Sequence, residues 1–230
     1  MPYREISGDI PEVIANGERL YEGDLAGYFR VLFFEATNLT NPYHNLRHSL
    51  HVAWLCHQAC RFYRDTITPR QMRILLIAAL FHDFDHPGHP HSDAEEPDRL
   101  NIDIAVAGLR RHIEPGDRAL LPDIEKLIRL TQFPYAAGGD TLDLLGQIIR
   151  DADVAQGLDP VWIQQVVIGL AAEQGLAPLQ MLRAQEPFLR RLSFNTEWAR
   201  TLYPRELIDQ KIEEARKLLR LLEPESVAAV

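Results

Sequence analysis

The spacing of apolar residues constrains the fold of this chain more than any other feature, because it follows a helical period almost throughout. Three stretches show it clearly, namely GYFRVLFFEATN, HVAWLCHQACRFY and RQMRILLIAALFH. No segment alternates apolar and polar residues as a half-buried strand would. We therefore predict an all-α fold, a compact bundle of roughly nine to eleven helices with short connections.

Helix starts are well marked, and nothing divides the chain. Thr68 precedes Pro69 and Asp159 precedes Pro160, in each case an N-cap residue before a first-turn proline. No linker rich in Gly, Ser or Pro is present, so we predict a single domain over residues 1–230. The last helix, PRELIDQKIEEARKLLRLL, is amphipathic. We expect it to pack on the core, and a homodimer formed through it is the open alternative.

Composition excludes several classes of function. The formal net charge is -9 at pH 7, whereas nucleic-acid binders concentrate Lys and Arg on one face. The first residues contain charges and prolines where a secretory signal needs an apolar run, and no later stretch of about 18 residues lacks charge. We expect a soluble, cytoplasmic protein without nucleic-acid or membrane partners, in which Cys56 and Cys60 are buried thiols.

The nine histidines matter through their placement. His44, His48 and His51 lie at i, i+4 and i+7, which puts them on one helical face. The run HDFDHPG, residues 82–88, follows an apolar helix, and two acids with two histidines are costly to bury there without a cation. Imidazole and carboxylate groups suit Zn, Mn, Fe or Mg.

Two further groups leave their role open. Asp151 and Asp153 end the amphipathic stretch TLDLLGQIIR and are either metal ligands or a solvated helix end. His89 and His91 lie in the polar loop HPHSDAEEPD, where they either extend the site or face solvent. We favour exposure for both histidines.

The order of these groups resembles the signature of the HD superfamily, H … HD … D, at His48, His82-Asp83 and Asp153. Two longer matches are more specific. YHNLRH, residues 43–48, resembles the YHNxxH element of class I cyclic nucleotide phosphodiesterases, and HDFDHPG resembles their HDxDHPG element. LIRLTQ and Ala152-Asp153-Val154 resemble later segments of that family. The resemblance spans residues 43–198 and implies a helical, metal-dependent phosphohydrolase domain.

The resemblance implies two divalent metal ions. One is assigned to four ligands, with Asp153 preferred to Asp151: His48, His82, Asp83 and Asp153. Asp83 would bridge to a second ion, whose waters would be held by His86 and Thr131. We expect Zn, Fe or Mn at the first site and Mg or Mn at the second, weaker one.

The implied reaction needs a nucleophile and an acid. Two cations can neutralise a phosphodiester and lower the pKa of a bridging water towards about 7. His44 lies one helical turn before His48 and would protonate the leaving O3′ as the general acid.

The implied substrate is 3′,5′-cyclic AMP or cyclic GMP, hydrolysed to the 5′-monophosphate. AQEPF, residues 184–188, resembles the family's SQxxF, so Gln185 would read the purine edge and Phe188 would stack on the base. Tyr43 is assigned to the same substrate site. Another HD activity, a 5′-nucleotidase or alarmone hydrolase, is the alternative, followed by a non-catalytic nucleotide sensor.

The chain departs from the family pattern at several positions. His51 stands where an aspartate follows YHNxxH, His91 where an asparagine follows HPG, and Gln156 where an asparagine follows Ala-Asp-Leu. Ala107 and Gly108 occupy the region of a glutamate that supports the second metal's waters. The departures concern the second ion more than the first.

Overall fold

The computed structural model describes residues 25–88, 97–135 and 138–223. These residues form helices and connecting turns without a β-strand, which confirms the predicted all-α fold. His89 and His91 lie outside the described residues. The described α-helices are α1 (Ala26–Phe34), α2 (Leu46–Phe62), α3 (Pro69–Phe81), α4 (Pro97–His112), α5 (Leu121–Leu130), α6 (Leu144–Val154), α7 (Ala171–Glu173), α8 (Pro178–Arg191), α9 (Glu197–Leu202) and α10 (Arg205–Leu222).

Shorter helical turns join these elements. They are the 3₁₀-helices Thr37–Thr40, Pro115–Leu120, Gly139–Thr141 and Ala155–Leu158, and the π-helix Ile163–Leu170, which runs directly into α7. Within the described ranges, no helix is long and apolar enough to cross a membrane.

Helix α3 is the centre of the bundle. It begins at a capping box, in which Thr68 Oγ1 accepts from the Gln71 N–H and Gln71 Oε1 accepts from the Thr68 N–H. Every residue from Ile74 to Phe81 is buried, as in a helix that is apolar all round. It packs against α1, α2, α4, α5 and α6. Its C-terminal end therefore delivers the following residues, His82 and Asp83, into the interior.

Helix α2 begins within the first histidine motif, at Leu46, so His44 precedes the helix and the prediction that it shares a helical face with His48 and His51 is wrong. The Asn45 side chain caps the helix by accepting from the backbone N–H groups of Arg47 and His48. Further along the same helix, Cys56 and Cys60 are free and buried. Burial raises the pKa of the Cys56 thiol well above its usual value and that of Cys60 to about 12, so neither forms a reactive thiolate near neutral pH.

Two asparagines hold the loop after α3 against the start of α2. Asn38 Nδ2 donates to the backbone carbonyls of His44 and Asp83, at 2.9 Å in each case. Asn41 Nδ2 donates to the carbonyl of His86 at 2.7 Å. The backbones of the two histidine motifs are therefore held together by these asparagines, independently of the histidine and aspartate side chains.

Asp85 has a structural task in the same loop. Its φ of 59° lies in the left-handed region, which is uncommon for a residue with a side chain. Its carboxylate accepts from the backbone N–H and hydroxyl of Thr37, at 2.8 and 3.0 Å, and pairs with Arg111. These contacts hold the loop in the conformation that turns it back towards α1.

The C-terminal helix packs on the rest of the chain. Helix α10 lies against α8 and buries Ala215 in a cluster with Trp162 and Leu182. The buried Lys211 donates to Glu214 at 2.9 Å. A homodimer and a single domain over residues 1–230 both stay predictions.

Gly108 on α4 gives a test of this packing. A Cβ there would come within 2.3 Å of the Phe84 ring. We predict that Gly108→Ala lowers the free energy of unfolding by about 1–3 kcal/mol, because overpacking outweighs the helix propensity of alanine, which is about 1 kcal/mol better than that of glycine. Urea unfolding measures the change.

The matched control is Gly116→Ala, because a Cβ at Gly116 meets no atom within 4 Å. We expect this variant to unfold at or slightly above the wild-type urea concentration. A Gly108→Ala protein as stable as the wild type would contradict the close contact between α4 and Phe84.

Candidate metal centre

Four side chains from three helix ends converge on one point. His48 lies in the first turn of α2, Asp153 lies in the last turn of α6, and the other two residues directly follow α3. The converging atoms, which we call the cage, are His48 Nε2, His82 Nε2, Asp83 Oδ2 and Asp153 Oδ1.

The spacing of the cage atoms fits one cation. His48 Nε2 lies 3.2 Å from His82 Nε2, 3.3 Å from Asp83 Oδ2 and 3.2 Å from Asp153 Oδ1. His82 Nε2 lies 3.1 Å from Asp83 Oδ2 and 3.5 Å from Asp153 Oδ1. A cation that binds nitrogen and oxygen at about 2.1 Å holds adjacent ligand atoms about 3.0 Å apart in octahedral and about 3.4 Å apart in tetrahedral geometry. His48, His82 and Asp83 therefore fit a divalent metal ion, and Asp153 Oδ1 lies beside both histidines as the fourth candidate ligand.

Burial makes the cage demand positive charge. Asp83 Oδ2 is buried and has no hydrogen bond of good geometry. Burial acts to raise the pKa of Asp83, but the charges of His82 and His44 hold it well below its usual range. Burial acts to lower the pKa of His48, but the Asp153 and Asp83 carboxylates raise it to about 9. Two ionised carboxylates that are only 13% and 17% exposed thus lie side by side with the buried histidines, where a divalent cation would balance their charge.

The remote nitrogen of each cage imidazole has a hydrogen-bond acceptor. His82 Nδ1–H donates to the backbone carbonyl of Ala79 at 2.7 Å. His48 Nδ1–H donates to Gln156 Oε1 at 2.6 Å. With the proton on Nδ1, the lone pair of each Nε2 faces the cage, which is the tautomer that binds a metal.

The two cage carboxylates differ in their support. Asp153 Oδ2 accepts from the Tyr135 hydroxyl at 2.7 Å, so Oδ1 alone faces the cage. Asp83 is held through its backbone carbonyl, and within the described ranges its Oδ2, which faces the cage, has no hydrogen-bond partner of good geometry. Asp83 is therefore the ligand whose second oxygen is available to another cation.

The region of the missing glutamate is filled by packing. Ala107 is exposed to solvent, and Gly108 lies against Phe84, so neither position can direct a long acidic side chain to the cage. This packing gives a physical reason for the departure noted in the sequence.

Glu173 orients His44 beside the cage. Its Oε1 accepts from the backbone N–H groups of Tyr43 and His44, at 2.7 and 2.9 Å, and its Oε2 accepts from His44 Nδ1–H at 2.6 Å. Burial acts to raise the pKa of Glu173, but the bonds from His44 lower it below its ordinary value. The ring centroid of His48 lies 5.7 Å from that of His44 and 5.0 Å from that of Tyr43.

His86 stacks on His44 and is fully engaged. The two ring centroids are 4.0 Å apart. His86 Nδ1 accepts from the Gly88 N–H at 3.1 Å, and Nε2 lies 2.9 Å from the Asn101 amide. Burial and the charge of His44 lower the pKa of His86 to about 4, so its ring is neutral at neutral pH.

The atoms of His44, His86 and Glu173 also lie close enough to suggest a cation site. The 2.6 Å separation of His44 Nδ1 and Glu173 Oε2 is that of a hydrogen bond and is shorter than the separation of two ligands on one cation. We therefore interpret this trio as an oriented acid and its support.

Thr131 is buried at the end of α5, and its hydroxyl donates to the Ile128 carbonyl at 2.8 Å. The hydroxyl oxygen can still accept a hydrogen bond from water. That Thr131 and His86 hold water for a second ion stays a prediction.

The two residues assigned to the base pocket lie on α8. Gln185 is buried, with Nε2 donating to the Met181 carbonyl at 3.1 Å and Oε1 left without a partner. Phe188 is partly buried against the main core. In the part of the chain that the structure describes, no hydrogen bond or ring contact joins either residue to the cage.

Asp151 and His51 point elsewhere. The Asp151 carboxylate accepts hydrogen bonds from four donors, the backbone N–H and the side chain of both Asn195 and Thr196, at 2.8–3.1 Å. These bonds hold the start of α9. His51 Nδ1 lies 3.7 Å from Asp159 Oδ2, and burial lowers the pKa of His51 to about 4.

Sequence reasoning missed several supports of the site. Glu173 lies 129 positions from His44, and Tyr135 lies 18 positions from Asp153, with no motif around either. Gln156 was noted only as a departure from the family. Asn38, buried beside both motifs, carried no signal beyond an Asn-rich stretch.

Comparisons with known proteins identify the same segment. A family model described as HD domain matches residues 45–157, which contain all four cage residues. The solved structure of the Leishmania phosphodiesterase LmjPDEB1 in complex with IBMX is similar in fold, with a TM-score of 0.55, 16% identity, and coverage of 78% of this chain and 75% of that chain. No match to a curated protein sequence was found.

The two aspartates of α6 give a paired test of the cage. We predict that saturating Mn²⁺ or Zn²⁺ raises the melting temperature of the metal-free wild type and of Asp151→Asn, and leaves that of Asp153→Asn unchanged. Ligand at 100 times its Kd stabilises a folded protein by about 2.7 kcal/mol. Differential scanning calorimetry with and without metal measures the shift.

Asp151→Asn is the control because the Asp151 carboxylate accepts hydrogen bonds from Asn195 and Thr196 and does not face the cage. In the variant, the new side-chain NH₂ group would face one of these donors and lose a hydrogen bond. We expect it to lose about 1–3 kcal/mol of stability in both conditions. An equal metal-induced shift in Asp153→Asn would contradict the cage.

Proposed function

We propose that this chain, in which residues 45–157 match the HD-domain family model, is a metal-dependent phosphohydrolase that converts 3′,5′-cyclic AMP or cyclic GMP to the 5′-monophosphate. The observation that carries the proposal is the pairing of a two-His, two-Asp cage with an oriented histidine outside it. The motifs YHNLRH and HDFDHPG supply the oriented histidine and three of the four cage residues, and Asp153 is the fourth.

The cage fits the requirements of phosphodiester hydrolysis. His48, His82, Asp83 and Asp153 would hold one divalent cation, and the free oxygen of Asp83 would contribute to a second. Such cations supply Lewis-acid charge for the phosphoryl oxygens and an activated water. The ligand types admit Zn, Fe or Mn at the first position and Mg or Mn at the second.

His44 suits the task of a general acid. Its Nδ1–H is held by the Glu173 carboxylate at 2.6 Å, so the ring is oriented. Its side chain is 23% exposed, which leaves it accessible to a substrate. Nε2 would then donate a proton to the leaving O3′. A pure nucleotide sensor would need no such oriented acid, so the pair favours an enzyme.

The proposed purine pocket lies on α8. Gln185 Oε1 is buried without a partner, and an exocyclic amino group or ring N–H of a purine could supply the missing donor. Phe188 and Tyr43 would flank the base. Because Gln185 is only 3% exposed, α8 must move for a base to reach it.

The burial of Gln185 favours the alternative in which the substrate makes no contact with it. A 5′-nucleotidase or an alarmone hydrolase would use the same cage without the Gln185 contact. The chain's net charge of -9 fits a small nucleotide held through metal better than a nucleic acid. The cytoplasm stays the expected location.

A product assay separates these activities. We predict that the purified protein with Mn²⁺ or Mg²⁺ releases 5′-monophosphate from cyclic AMP or cyclic GMP, and that Asp153→Ala, the blank, does not. Chromatography of the products measures it, with 5′-AMP as a third substrate. Phosphate release from 5′-AMP alone would assign the protein to the nucleotidase branch.

The acid and the cage are separable by mutation. We predict that His44→Ala and Glu173→Gln lower turnover by about 10²–10⁴-fold and about 10-fold or more, respectively, while the bound metal per chain stays at the wild-type level. Asp83→Ala should lose both. Elemental analysis alongside the product assay measures the two quantities.

His57→Ala is the matched control, because His57 lies on the same helix nine residues after His48 and outside the site. It should retain turnover and metal. Normal turnover in His44→Ala would exclude the proposed acid.

A further inference from the structure

The metal ligand His48 is supported by a chain of two glutamine amides. His48 Nδ1–H donates to Gln156 Oε1 at 2.6 Å, and Gln156 Nε2 donates to Gln165 Oε1 at 3.3 Å. His48 and Gln156 are each 1% exposed, and Gln165 is 8% exposed. We propose that Gln156 and Gln165 are positioning residues that set the affinity of the cage for its metal ion. The inference rests on the metal binding assumed in the proposed function.

The argument begins with the buried proton on His48. A neutral imidazole that binds a metal through Nε2 must carry its proton on Nδ1. In this interior only Gln156 accepts that proton, and a buried donor without an acceptor costs about 1–3 kcal/mol. The same hydrogen bond fixes the orientation of the ring, because it holds Nδ1 towards Gln156 while Nε2 faces Asp153 and the cage. Loss of Gln156 would therefore leave the Nδ1–H of the metal-bound ring without its acceptor and would release the ring from that orientation.

Gln165 decides which end of the Gln156 amide faces His48. An amide presents an oxygen acceptor or an NH₂ donor depending on a half-turn of its end group. Because Gln165 Oε1 accepts from Gln156 Nε2, the Gln156 oxygen is left for His48. Gln165 lies on the π-helix Ile163–Leu170, and such helices are frequent at functional sites.

His82 provides an internal contrast. Its Nδ1–H donates to the backbone carbonyl of Ala79, which no side-chain substitution can remove. Of the two cage histidines, only His48 is supported by a side chain, and that side chain can be substituted. We therefore expect the metal affinity of the cage to depend on Gln156.

The experiment measures Zn²⁺ affinity of the full-length, metal-free protein by competition with a chromophoric chelator. We expect Gln156→Leu to bind Zn²⁺ about 10–100-fold more weakly than the wild type, the usual effect of removing a group that orients a metal ligand. Gln156→Glu, which keeps an acceptor oxygen, should restore affinity to the wild-type level or above. Gln165→Leu should weaken binding, and Gln165→Glu should restore it.

Proton NMR of the Zn²⁺-loaded protein gives a readout independent of affinity. The His48 Nδ1–H resonance should lie far downfield in the wild type and in Gln156→Glu, and should move upfield in Gln156→Leu. A general loss of stability would not produce this pattern of rescue. If Gln156→Leu does not fold, the comparison of Gln165→Leu with Gln165→Glu provides the same test.

Two results would overturn the proposal, and they are distinguishable. Equal Zn²⁺ affinity in the wild type, Gln156→Leu and Gln165→Leu would remove the role of the amides while leaving the metal centre and the proposed activity intact. A wild type that binds no Zn²⁺ or Mn²⁺ would remove the metal centre and the proposed function together.

Discussion

Two ionised carboxylates held among imidazoles in the protein interior are the constraint on which the rest of the structure depends. Asp83 and Asp153 meet His48 and His82 at separations of 3.1–3.5 Å. Buried charge of this kind is tolerated only with matched partners or a cation. The ends of α2, α3 and α6 must therefore meet at one point, and the packing of α3 at the bundle centre makes that meeting possible.

Around this point three of the four ligands are held by groups from elsewhere in the chain. Gln156 holds the His48 ring and Tyr135 holds Asp153. Asn38 joins the backbones of the two histidine motifs. His82 is held by the Ala79 carbonyl of its own helix, whereas His48 and Asp153 depend on groups from other elements, so the geometry of the cage depends on the assembled bundle. That dependence agrees with a site that must bind a cation at bond lengths defined to a fraction of an ångström.

The C-terminal half of the chain contributes the chemistry beside the cage. The π-helix packs closely against the segment before α2, so that a Cβ at Gly169 would lie 2.6 Å from the Pro42 carbonyl oxygen. Glycine is required there because the segment carrying Tyr43 and His44 passes directly over the helix. The same run ends at Glu173, which binds that segment and orients the proposed acid. One continuous helical stretch thus supports both a metal ligand, through Gln165, and His44.

Helical periodicity was enough to predict the all-α fold, because spacing within one helix is recorded directly in a sequence. The meeting of His48 with His82 and Asp83, and the preference for Asp153, came from the resemblance of the histidine motifs and of Ala152-Asp153-Val154 to the phosphodiesterase family, since these residues lie on separate helices. Glu173, Tyr135 and the His48 contact of Gln156 depend on how distant helices pack, and the closed position of Gln185 depends on the docking of α8. Tertiary structure alone decided these, because side-chain contacts across 100 residues leave no local pattern in the sequence.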